Sequence, residues 1–265
     1  MKRERFSRHT LLWIASFFYV PLAAEITVLG ELSHEYALQP GSRQTGVIEV
    51  MNMGEKPRTA RVYQTDYTYR SDGTSRYDAP GAVARSNAGW MQISPRQFTV
   101  PGGEKMIVNY VVGVPDTGLS GTYWSILMVE PVEEITPEQP EGIQIRTVIR
   151  YAVQVVTQIG NTGDRSVRFQ NAQLIRQDTG RFLVLEVEND GNRFVRPAIW
   201  VEVFDVEGQF QGKFETRQSR ILPGCSVRRE IDVTSLSVGE YKALVIVDCG
   251  DEDIFGMNLT LKIEP

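Results

Sequence analysis

Apolar and polar residues alternate along most of the chain, and no segment sustains a 3.6-residue apolar period. Residues 47–51 (VIEVM), 61–65 (RVYQT), 104–114 (EKMIVNYVVGV) and 122–129 (TYWSILMV) are short runs rich in β-branched and aromatic side chains. Gln39-Pro40-Gly41, Asn52-Met53-Gly54, Asp72-Gly73, Pro101-Gly102-Gly103 and Pro115-Asp116 separate them. Strands at this spacing, punctuated by Gly and Pro, predict an antiparallel sandwich. The polar stretch 71–87 carries no strand signal and reads as a surface loop.

Residues 157–165 (TQIGNTGDR) form a Gly/Asn-rich break, after which the pattern restarts. Strands are predicted at 167–176, 182–188, 195–205, 209–216, 226–233, 240–247 and 255–263. Seven strands in about 100 residues match an immunoglobulin-like module. The fold class expected is all-β, with two immunoglobulin-like antiparallel β-sandwich domains in tandem, at 25–157 and 165–265. Large aromatics within strands, Trp124 and Trp200, are expected in the sandwich cores, and Trp90 partly exposed.

One stretch is out of scale. Residues 142–156 (GIQIRTVIRYAVQVV) read as a strand of about fourteen residues, against a usual five or six. Ile143, Ile145, Ile149, Tyr151, Val153 and Val155 share one face, broken only by Thr147, and the other face carries Gln144, Arg146, Arg150 and Gln154. Before it, residues 130–141 (EPVEEITPEQPE) form an acidic, three-proline connection expected to be exposed. An apolar stripe on an exposed sheet edge invites a second chain to add as a strand. The alternative is that these positions fill the first sandwich's own core, which suits Tyr151, Val153 and Val155 best.

The N-terminus changes the picture. Lys2, Arg3, Arg5 and Arg8 precede a 14-residue apolar run at 11–24 that ends in small residues. That is the grammar of a cleaved export signal, and it is short of the roughly 20 residues a spanning helix needs. Without this leader, 24 basic and 32 acidic side chains remain, a net charge near −8. Such a balance argues against nucleic acid or an anionic membrane as partner. Export also makes a bridge between the two cysteines, Cys225 and Cys249, plausible. It would close a loop worth roughly 3 kcal/mol on a chain-entropy model. Two unpaired thiols at strand ends are the alternative.

Catalytic chemistry has little to work with. Once the leader is removed, His34 is the one histidine, and its setting, ELSHEY, reads as a surface strand. One His and two distant Cys give no zinc spacing, so no metal and no cofactor are expected. The acidic turn 248–253 lacks the alternating spacing of a calcium loop and reads as solvated charge. The expectation is a binding protein, not an enzyme.

Three segments carry a resemblance. PGSRQTGVIEVMNMGEKPRTARVYQTDY (40–67), WMQISPRQFTVPGGEKMIVNYVV (90–112) and GIQIRTVIRYAVQVV (142–156) are similar to successive strands of periplasmic pilus-assembly chaperones, the PapD-like proteins of chaperone–usher systems. The resemblance implies two immunoglobulin-like domains and a strand lent to a secreted fimbrial or pilus-like subunit. It implies a periplasmic location, a β-rich subunit as partner, and an usher-type outer-membrane protein as a second. By position it places Ile143, Ile145, Thr147 and Ile149 against the subunit, where three buried isoleucines would supply roughly 4–8 kcal/mol before ordering costs. It places Arg150 where the family grips the subunit's C-terminal carboxylate, which a guanidinium can do bidentately. The family's first-strand arginine has no counterpart: Tyr36 stands near that position, and the nearest arginine, Arg43, lies beyond the turn. A structural or adhesive cell-surface sandwich protein without chaperone activity remains the alternative reading.

Overall fold

The computed structural model describes residues 25–132 and 147–264. The expected export signal at 1–24, and with it Ile143 and Ile145, lie outside the described residues. In chain order the strands of the first half are β1 (Ile26–Leu29), β2 (Ser33–Leu38), β3 (Arg43–Asn52), β4 (Arg58–Tyr69), β5 (Ser75–Asp78), β6 (Met91–Ser94), β7 (Gln97–Val100), β8 (Lys105–Gly113), β9 (Gly121–Pro131) and β10 (Tyr151–Ile159). Those of the second half are β11 (Val167–Gln177), β12 (Gly180–Asn189), β13 (Ala198–Phe204), β14 (Phe210–Glu215), β15 (Ser226–Asp232), β16 (Gly239–Asp248) and β17 (Ile254–Ile263).

The first sandwich packs a sheet ordered β1-β3-β8-β6 on one ordered β2-β10-β9-β4-β5, with β7 also on β4. Alternation makes its core: Ile48 and Val50 of β3, Val108, Tyr110 and Val112 of β8, and Val153 and Val155 of β10 all point inward. Tyr110 sits there because β3 has no side chain at Gly46. A Cβ at Gly46 would fall 2.2 Å from the ring's Cζ.

The second sandwich sets β11-β12-β15 against β14-β13-β16-β17, each strand on one of the seven predicted segments. Ile199, Val201 and Val203 of β13 meet Val245 and Val247 of β16 in its core. That phase turns Trp200 outward, contrary to expectation. Its ring lies under Lys213 Nζ, 4.4 Å from the centroid.

The two sandwiches meet through a third apolar cluster of Trp124, Val156, Leu222 and Cys225. Trp124 is buried as expected, but in this joint and not in a sandwich core. Around it, Tyr69 Oη donates to Arg220 O and accepts from Leu222 N, both at 3.1 Å. Ser71 N donates to Ser226 Oγ at 2.9 Å. The stretch expected as a free surface loop therefore holds β5, and the tip of the β4–β5 hairpin rests on the second sandwich. Gly121 lets the backbones close: with φ +76°, it has Asn192 O 2.1 Å from where a Cβ would lie.

The expected Cys225–Cys249 bridge is not formed. Both are buried free thiols. Cys225 belongs to the joint between the sandwiches, whereas Cys249 belongs to the second core, so burial separates them despite their short spacing.

Candidate partner-binding edge

The site follows from how the first strand is divided. β1 pairs with β3 in one sheet, the chain turns at Gly30 (φ +84°), and β2 then joins the other sheet beside β10. Register between β2 and β10 begins at Ser33↔Gln154, and Gln154 N donates to Leu32 O at 2.9 Å. Peptide groups alternate sides along a strand, so the main-chain groups of Ala152, the second residue of β10, face the same side as those of Gln154. No strand among the described residues pairs with Ala152 there. Among the described residues, β10 thus enters its sheet with one flank on β9 and no strand on the other.

The expected fourteen-residue strand is corrected in extent. Pairing starts at Tyr151↔Val129, and Thr147, Val148, Ile149 and Arg150 are exposed and outside any strand. The cause lies in β9, which ends at Pro131, a residue with no N–H to offer a neighbour. At its other end β10 runs past Thr157 to Ile159, which is 1% exposed. Val148 and Ile149, at 40% and 37% exposure, present large apolar side chains just ahead of the free flank.

Arg150 is not unpaired. Its Nε lies 2.7 Å from Glu130 Oε2. Glu130 was expected in an exposed acidic connection, yet it belongs to β9 and its side chain is 4% exposed. The same carboxylate takes Arg61 Nε at 2.6 Å and Tyr63 Oη at 3.0 Å. Burial, and then the hydrogen bond to Glu130, raise the Tyr63 phenol above its ordinary pKa. Two cations flank one anion in this row across the sheet, and the Arg150 side chain stays 59% exposed.

Tyr36 points into the first core, where its hydroxyl lies 2.8 Å from that of Tyr110. His34 is no surface residue either: it is half-buried, stacks on Tyr110 and hydrogen-bonds its hydroxyl. Beside β10 the second half of the chain contributes a cation. Arg220, 13% exposed, reaches Glu35 Oε2 at 2.7 Å, Ser33 Oγ at 2.6 Å and the Gln154 side chain. Arg196 shares Glu35, at 2.5 Å. Sequence reasoning missed Arg220 because nothing local marks it: it lies 66 residues from Gln154.

No family model and no curated protein matches the chain. Solved structures do. One, described as a chaperone–tip adhesin complex vital for activation of CFA/I fimbriae biogenesis, is 13% identical, with 89% of this chain and 98% of that one covered at a TM-score of 0.49. The CsuC–CsuE chaperone–tip adhesion subunit complex of Acinetobacter baumannii archaic Csu pili is 13% identical, covering 87% and 97%, with a TM-score of 0.44. The SafA pilin–SafB chaperone complex of Salmonella enterica is 14% identical, covering 91% and 99%, with a TM-score of 0.41. At these identities the likeness is one of fold.

Proposed function

We propose that this protein is a non-catalytic periplasmic chaperone that lends the segment entering β10 as a strand to a secreted, β-rich subunit lacking one of its own. The observation that carries the reading is the free flank of β10 upstream of Gln154, created where β1 hands over to β2 in the opposite sheet. A guest strand laid there would take up the main-chain groups of Ala152 and Arg150. Side chains at alternate positions of 143–149 would dock into the guest, with Ile149 as the innermost of them. The class of client, a fimbrial or pilus-like subunit, rests on the resemblance of residues 142–156 to a donor strand. In this reading Arg150, paired with Glu130 beside β9, meets a carboxylate at the guest's end through the part of its guanidinium left in solvent.

The test is co-expression with secreted β-rich proteins encoded nearby, followed by identification of what stays bound. Ile149→Asp should lose the bound subunit with its thermal unfolding unchanged, because Ile149 is exposed and belongs to none of the core clusters of the described residues. Retention of the subunit by that variant overturns the reading.

A further inference from the structure

The second sandwich has a free edge that donor-strand binding does not use. β17 closes the sheet β14-β13-β16-β17, pairs on one side with β16 over Ile254–Ile263, and has no strand on the other side among the described residues. Proteins normally blunt such edges with charge, proline or short length. Exposed Arg168 and Arg176 do this on β11, Lys213 on β14 and Arg228 on β15. β17 carries such a charge only near its end, on Lys262. It is ten residues long, and from 254 to 261 (IFGMNLTL) it carries no charged residue and no proline. Ile254 is 60% exposed, and Phe255, Met257 and Leu259 are half-buried at the rim of the second core.

Charge at the two ends of the strand decides what fits. It begins at an acidic turn, where Arg165 Nη1 pairs with Asp251 at 2.7 Å and Asp253 at 3.1 Å but leaves exposed Glu252 without an ion pair among the described residues. It ends at Lys262, which lines one cavity with Arg176 and Arg181 and is met by Glu264 at 3.7 Å. A strand acidic at its start and basic at its end complements itself when run antiparallel. Parallel pairing would put like ends together.

We propose that β17 is a self-association edge, at which two copies of this chain pair β17 to β17, antiparallel about a two-fold axis near Met257 and Asn258. Such an axis gives the same patch on both copies and closes the assembly at two. Each copy's Lys262 then lies toward the other's Glu252, and the two sheets become one across the junction. A contact confined to one strand and its rim is small, so the dimer forms and dissociates with concentration. The inference stands apart from client binding, which uses the other sandwich.

Sedimentation velocity of the purified full chain over a wide concentration range tests it. The expected result is a monomer–dimer equilibrium for the wild type and a monomer for Asn258→Lys, which sets two ammonium groups diagonally across the axis on one face of the sheet. Thr260→Lys, also exposed, serves if Asn258→Lys does not fold. Lys262→Glu should weaken association roughly tenfold, from two like-charge cross-strand encounters. Adding Glu252→Lys should restore it, as only an antiparallel arrangement allows. A wild type monomeric at every concentration, a dimer indifferent to Asn258→Lys and Thr260→Lys, no rescue by the double charge exchange, or a dimer lost instead in Ile149→Asp overturns the proposal.

Discussion

Arg150 Nε lies 2.7 Å from Glu130 Oε2, and this pair ties the last exposed residue before β10 to the strand beside it. The tie is asymmetric, because Glu130 keeps Arg61 and Tyr63 without Arg150. Arg150→Ala should therefore cost little stability, within about 1 kcal/mol as for other solvent-exposed ion pairs. Capture of the subunit should weaken by about tenfold to a hundredfold, the loss of one charge-assisted hydrogen bond to a carboxylate. Pull-down of co-expressed subunit alongside thermal unfolding separates the two effects. Unchanged capture would remove Arg150 from the site and leave it as a support for β9.

Gly46 of β3 lies opposite Tyr110 of β8 in the same sheet, and a methyl group there would overlap the ring at 2.2 Å. The ring cannot easily retreat, since its hydroxyl is held by both His34 and Tyr36. Gly46→Ala should destabilise by about 1–3 kcal/mol, as overpacked core positions do. For a chain of this size that lowers Tm by roughly 3–10 °C. Calorimetry of this variant, alone and with Tyr110→Leu, should show the second change recovering much of the loss. Additive losses would mean that Gly46 matters for some reason other than the ring.

Arg220 connects the sandwiches through Glu35, Ser33 and Gln154 while only 13% exposed. Arg220→Ala should loosen the joint without unfolding either half, because Trp124, Val156, Leu222 and Cys225 still pack there. Loss of a mostly buried guanidinium with three acceptors should cost about 2–4 kcal/mol. Small-angle scattering should report a larger radius of gyration, and calorimetry should resolve two thermal transitions. Scattering and unfolding both like the wild type would show that the apolar cluster sets the joint alone.

Alternation made the strands legible, because one apolar residue in two along a sheet is a direct consequence of burial on one face. The same rule settles Trp200, whose neighbours Ile199 and Val201 take the inward positions. Phase was the better guide there, and residue size the worse. Glu130 was obscured by composition: the acidic, proline-rich run that follows it hides the fact that β9 continues to Pro131. Arg220 left no trace, since its partners come from β2 and β10 and are joined to it only by the way the two sandwiches meet. The free flank of β10 was half legible. The stripe of isoleucines left an edge and a filled core equally open, and the handover from β1 to β2 that uncovers the flank is a property of the sheet order.

Cys225 and Cys249 are both buried as thiols, and burial raises the pKa of each, that of Cys249 to about 11. Denatured, unreduced protein should release two titratable thiols, and the native protein should react slowly with alkylating agents at neutral pH. The pH dependence has a definite sign. In the unfolded chain a cysteine ionises near its ordinary pKa of about 8.5. The folded state holds Cys249 neutral until about pH 11. The stabilisation from keeping the thiol neutral is whole below the unfolded value and is lost as pH rises toward the folded one. Urea titrations at rising alkaline pH should show the wild type losing stability over that window. Cys249→Ala should lose less, after allowing for a constant offset from its smaller side chain. Parallel pH profiles for the two proteins, or no free thiol after denaturation, would contradict the burial that separates Cys249 from Cys225.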